Sequence, residues 1–171
     1  GSNYNVTDYT NIGFYDIAFS NNEKDIINNT YLDNSLISTL EQDVKFAVND
    51  TIDKVYLLSH RDLINSNYGY SDDPTQKDSL RATTSSDYAR SIGCYLHLPQ
   101  LNNGGNTYWI LRNVRSKGSI VSAVDQDGLL DYGKNVSEKR NGVRPAITII
   151  KDGHTHSYTS RIINPTCANK G

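Results

Sequence analysis

The 171-residue chain has no methionine, only four prolines, one tryptophan and two cysteines. Cys94 and Cys167 are too few for a disulfide framework, and their separation in sequence leaves pairing and redox compartment open. No apolar run approaches the roughly 20 residues of a membrane helix, and no charged-then-apolar leader reads as a signal peptide. Direct membrane insertion is therefore not expected. Net charge is −2 and the pI about 6.1, with Lys and Arg scattered among Asp and Glu. Without a basic face, nucleic acid is not an expected partner. Catalytic spacings are missing too: there is no G-x-S-x-G, H-E-x-x-H or P-loop, and His60, His97, His154 and His156 show no triad pattern. The expectation is a non-enzyme. A Gly-Ser start without methionine reads as a fragment of a longer protein behind a cleaved tag, with targeting signals outside it.

What is present suits one globular domain: 36% apolar and 21% charged residues, enough for a sizeable core. Twelve tyrosines and abundant asparagine suit the hydrogen-bonding surfaces of extracellular modules. Ser20 and Glu23 have capping-box spacing and predict a helix over about 21 to 29. Val44, Phe46 and Val48 alternate with polar residues as in a half-buried strand over 43 to 50, and KVYLLS reads as a strand buried on both faces. Ser59 and Asp62 offer a cap for HRDLIN. Residues 66 to 82 carry Gly, Pro and several Asp without periodicity, so they form a long surface loop. Thr84 with Asp87 starts a helix that Gly93 ends in the left-handed conformation. A second irregular loop, LPQLNNGGN, precedes the strand TYWILR. SIVSAVDQDGLLDYG predicts a hairpin turning at 125 to 128, and VRPAITII with HTHSYTSRII flanks KDG as a further hairpin or the step into a new unit. Small helices before a strand-rich second half make the fold class α+β with mostly antiparallel pairing.

The landmarks FYDIAFS, DKVYLLS, RATTSSDYA, YWILRN, VDQDG and NGVRPAI, in that order over residues 14 to 150, resemble an uncharacterised bacterial surface-protein domain family with a WLRS…VRPA signature. That family is similar to the C-type-lectin-like fold shared with formylglycine-generating enzymes and the variable receptor-binding proteins of retroelements. Trp109, Arg112, Gly142 and Arg144 carry this second likeness. Where the family has Ser-Pro after the first arginine, this chain has Asn113 and Val114, so the loop there is expected to differ. Residues 153 to 171 resemble the first half of a short His/Cys repeat that follows such domains. The implied organisation is an N-terminal arm with tag remnant over 1–13, a C-type-lectin-like binding domain over 14–152, and the truncated start of a repeat or linker over 153–171.

Arg112 and Arg144 admit two readings, an anion-gripping pair or structural ties whose charge is met by carboxylates or carbonyls at the core rim. The structural reading is preferred, with Asp53 and Asp87 as candidate partners and Trp109 as core rather than a sugar platform. Asp125, Asp127 and Asp131 around Gly128 suit a tight turn better than a calcium loop, while Asp72, Asp73 and Asp78 leave calcium open. His154, His156 and Cys167 supply too few ligands for zinc. No cysteine pair matches the formylglycine-generating motif, so Cys94 is expected to be buried and inert. No cofactor is expected beyond possible calcium. The resemblance and the Tyr- and Asn-rich loops imply a non-catalytic carbohydrate-binding module, extracellular or attached to the bacterial cell wall, whose partner is a glycan or host-surface glycoprotein beside the flanking domains of its parent. A protein-binding adhesin or a structural spacer are the alternatives. Expected ligand contacts are Tyr68, Tyr70, Asp72, Asp73, Asn102, Asn103, Asn106, Asn113 and Arg115.

Overall fold

A computed structural model describes residues 13–35, 48–98, 104–116, 119–130, 133–150 and 166–167. Near the start lie helices α1 (Phe14–Ala18) and α2 (Asn21–Ile26), then strands β1 (Ile27–Asn28) and β2 (Thr30–Leu32). The Ser20–Glu23 capping box forms, but the helix gives way to β1 at Ile27, sooner than expected. Ile27 is buried and its strand is claimed by a pairing with distant β12 (Thr148–Ile149), so tertiary packing overrides the local helical signal.

After β3 (Thr51–Asp53), which pairs with β2, KVYLLS yields only a two-residue strand, β4 (Tyr56–Leu57). Ser59 then caps α3 (His60–Leu63), with Asp62 returning the bond, as the spacing predicts. The long loop follows, opened by a 3-10 turn at Ser66–Tyr68 and closed by β5 (Thr83–Thr84). Helix α4 (Asp87–Ser91) is capped by Ser86 rather than Thr84, because Thr84 is already paired in β5. Gly93 ends it at φ +96°, where a side chain would be strained. The expected strand over 43 to 50 falls largely on residues outside the described ones, as does the KDG hairpin.

The second half carries β6 (Asn106–Thr107), β7 (Trp109–Ser116), β8 (Ile120–Val124), β9 (Lys134–Asn135), β10 (Gly142–Val143), β11 (Pro145–Ala146), β12 and β13 (Thr166–Cys167). The largest sheet has the order β13-β10-β7-β8-β9, antiparallel except for the parallel β10–β7 pair. The fold is α+β, with short helices and small, mostly antiparallel sheets. VRPAITII is not one strand. It steps across three sheets, β10 on β7, β11 on β4 and β12 on β1, and so ties both halves of the chain together. Arg144 and Ile147 sit between the steps.

Beneath these strands Leu58, Leu63, Tyr70, Trp109, Leu111, Val124, Leu130 and Ala146 form the main core, with Tyr56 and Ile64 packed against it. A fully buried Leu or Val contributes roughly 1.5–3 kcal/mol, so the two halves cohere mainly through this cluster. A smaller cluster joins Ala89 and Cys94 under Ile92. Cys94 is buried but not an inert thiol, which corrects that expectation: it is disulfide-bonded. Strand β13 lies in the segment expected to begin a following repeat, and its two residues belong to the domain's own sheet.

The turn after β8 forms as expected: the Gly128 amide donates to the Asp125 carbonyl at 3.1 Å. Gly128 has φ +80°, and a Cβ there would fall on the Asp78 carbonyl of the long loop. Gly128→Ala is therefore expected to cost about 2–4 kcal/mol, from the left-handed backbone and from overpacking. Chemical denaturation would measure it, and an unchanged midpoint would show that turn and loop do not press together.

Candidate ligand groove

The long loop is built around a buried cation. The Arg81 side chain is 0% exposed, and one of its terminal nitrogens donates to the carbonyls of Asp73 and Gln76, both at 3.0 Å. Its Nε lies 3.4 Å from Asp78 Oδ2. Burial pushes the Arg81 pKa down, opposed by Asp78 and Asp73, yet a guanidinium starts so high that it stays charged. Charge without water demands acceptors, and the loop curls to supply them. Asp78 is used on both oxygens: Oδ2 accepts from the Ser71 amide and Oδ1 from the Leu80 amide, each at 2.8 Å. Asp73 is held below the usual carboxylate range by the hydroxyl and amide of Thr75.

Against this loop sits the turn after β8. Asp125 Oδ1 accepts from the amides of Asp127 and Leu129, at 2.8 and 2.9 Å, leaving the Asp127 side chain to reach across to Lys77 Nζ at 2.6 Å. Between loop, turn and the β5–β6 ribbon lies an open groove of about 540 Å³ lined by Lys77, Ser79, Ala82, Thr83, Thr84, Asn106 and Asp127. Hydroxyls, an amide and one ion pair make its wall. Asn106 Nδ2 donates to the Gln126 carbonyl at 2.8 Å, which leaves its oxygen as an acceptor. Among the described residues no three His, Cys, Asp or Glu side chains stand together as metal ligands.

Of the expected contacts, Asn106 lines this groove, and Asp72 and Asp73 are exposed on the loop nearby. Tyr68 is half-exposed at the far end of the loop, and Arg115 packs over Gly133 on the large sheet. Asn102 and Asn103 lie outside the described residues. Tyr70 and Asn113 are corrected, because both are buried. Tyr70 belongs to the main core, and Asn113 accepts the His60 amide at 2.8 Å, tying β7 to α3. Lys77, Ser79, Thr83 and Thr84 are not among the ligand contacts expected from sequence. Only the fold brings these ordinary loop and ribbon residues to one wall.

A family profile described as "Domain of unknown function (DUF6273)" matches residues 2–151. The chain belongs to this family. No curated protein and no solved structure gives a match.

In this DUF6273 domain the two arginines flanking the core strands face inward. Arg112 meets Asp62 Oδ2 at 2.6 Å, the carbonyls of Leu57 and Asp33 at 3.1 and 3.3 Å, and Asn34 Oδ1 at 3.1 Å. Arg144 donates to the carbonyls of Leu80 and Arg81, both at 3.3 Å, and lies over the Trp109 ring 5.0 Å from its centroid. Neither expected carboxylate takes part. Asp53 sits in β3, and Asp87 is exposed beside Arg90 at 3.6 Å; Asp62 is the partner because α3 brings it under β7. Trp109 is wholly buried and offers no face to a sugar.

Removing a partner from a buried, bonded charge typically costs about 3–5 kcal/mol. Arg81→Met is expected to lose about 3 kcal/mol in chemical denaturation, with the amides of Ser71 and Leu80 exchanging faster than core amides. Unchanged exchange at those two amides would show that the loop holds its shape without Arg81.

Proposed function

We propose that this domain is a non-catalytic carbohydrate-binding module of a bacterial surface or secreted protein, with a C-type-lectin-like architecture, and that glycan binds in the groove between the long loop and the turn at 125 to 128. The observation that carries this reading is the groove wall: Ser79, Thr83, Thr84, Asn106, Lys77 and Asp127 alternate donors and acceptors over an open concave surface. Sugar hydroxyls are met by such groups, and the few fixed polar ones set specificity. The wall carries no aromatic ring among its lining residues, so affinity rests on hydrogen bonds and is modest. No cofactor enters this reading, since the carboxylates of Asp73, Asp78, Asp125 and Asp127 already accept hydrogen bonds; calcium is the ion to test. The disulfide of Cys94 supports an oxidising, extracellular setting, on the cell wall or secreted.

A protein-binding adhesin is the second reading, and one observation favours it. Tyr31 and Ile52 face each other across β2–β3 and are 65% and 68% exposed, an apolar pair on the surface. Pull-down from host mucus before and after deglycosylation separates the two, because only the glycan reading loses its partner on deglycosylation.

A labelled domain probed on a broad glycan array in calcium and again in EDTA is expected to show saturable binding to a related set of glycans in both buffers. Lys77→Ala and Thr84→Val should each weaken it about 3- to 10-fold, the equivalent of one lost hydrogen bond. Silence in both buffers from folded protein would sink the glycan reading, and binding untouched by either substitution would move the site elsewhere.

A further inference from the structure

Cys94 follows the end of α4, where its amide donates to the Ala89 carbonyl at 2.9 Å and its sulfur lies 3.6 Å from Thr107 Oγ1 and 3.8 Å from the Arg140 carbonyl. It therefore sits between β6 and the approach to β10. It is disulfide-bonded, and the chain holds one other cysteine, Cys167. That residue lies on β13, which packs against α4 and pairs with β10, placing Cys167 opposite Gly142. On its other side β10 is pressed against β7, since a Cβ on Gly142 would come within 2.7 Å of the Tyr108 carbonyl oxygen. The β13 side is thus the one edge of β10 that can be covered or uncovered.

We propose that a Cys94–Cys167 disulfide is a redox clamp that holds the C-terminal strand on the sheet edge. A two-residue ladder holds a strand only weakly by itself. The covalent bond closes a long loop and holds Thr166 and Cys167 against β10. Closure joins the two thiols, which give up two protons and two electrons to a disulfide-bearing oxidoreductase or an oxidised small thiol, reagents of an oxidising compartment. Reduction by a dithiol reverses this: both cysteine thiols are regenerated, the dithiol becomes a disulfide, and β13 is free to undock. The side of β10 that β13 had covered, with the Val143 backbone on it, is then an open edge, able to accept a strand from another chain. The clamp does not depend on the glycan reading.

The test uses the chain as it stands, matured under oxidising conditions. Thiol titration in denaturant should find no free thiol before reduction, and peptide mapping should find one cross-linked pair carrying Cys94 and Cys167. With a dithiol, amide exchange at Val143 should rise at least about tenfold while Gly142, whose amide donates to the Tyr108 carbonyl on the other side of β10, stays protected together with Leu63 and Ala123, as expected for local rather than global opening. Cys167→Ala should show the same raised exchange without any reductant; wild type with and without reductant carries the test if that variant does not fold. Two free thiols, a bond between two chains on a non-reducing gel, unchanged exchange at Val143, or loss of protection throughout the core would each overturn the clamp.

Discussion

The carbonyl oxygen of Arg81 is where this fold is tied. It accepts the Trp109 indole N–H at 3.1 Å and an Arg144 guanidinium N–H at 3.3 Å, while the same guanidinium lies on the Trp109 ring. Three remote pieces of chain meet there: the end of the long loop, the head of β7 and the step between β10 and β11. The interaction explains why an arginine and a proline stand inside a run that otherwise reads as a core strand. Arg144 is 9% exposed, so its charge needs acceptors, and carbonyl dipoles supply them without a second buried ion. Burial lowers its pKa, but the group remains a cation at any ordinary pH. Pro145 then opens β11 opposite Leu57 without an amide donor to satisfy.

The groove inherits its shape from that tie. Because the Arg81 backbone is pinned to Trp109 and Arg144, its side chain projects back into the loop, where Asp73, Gln76 and Asp78 close over it. The loop so shaped offers the Asp78 carbonyl to Gly128, whose lack of a side chain lets the turn come close enough for Lys77 to reach Asp127. Each step depends on the one before it. Loops carry function when a rigid scaffold positions them, and here the loop is folded over a buried cation that is itself tied to the core strands.

Local signals were legible in the sequence, and long-range choices were not. Ser20, Ser59, Gly93 and the Asp-Gly turn act within a few residues, and the structure places them as their spacing predicts. Strand lengths were not readable, since VRPAITII and KVYLLS carry apolar runs that satisfy one long strand as well as several short ones. Which sheet each pair of residues joins is decided by distant partners. The same limit applies to Arg112: Asp53 and Asp62 are equally plausible by composition, and only α3 docking under β7 selects Asp62. Tyr70 and Asn113 misled for a related reason. A polar loop that returns to the core must bury something at its root, and an asparagine beside a strand can serve a neighbouring helix rather than solvent.

The acidic loops show how an internal cation changes the meaning of a motif. Asp72, Asp73 and Asp78 beside Asp125 and Asp127 look like oxygen donors awaiting a metal. In the fold, Asp78 accepts two amides and neutralises Arg81, Asp73 holds Thr75, Asp125 holds two amides of its own turn, and Asp127 meets Lys77. A divalent ion entering here would have to displace charge-assisted hydrogen bonds that shape the loop, and it would meet the positive charge of Arg81 at close range. Coulomb repulsion in a water-poor loop is far stronger than at an exposed surface. The arginine thus stands inside these acidic residues as an internal cation, and the Asp78 carboxylate and the carbonyls of Asp73 and Gln76 are turned toward it.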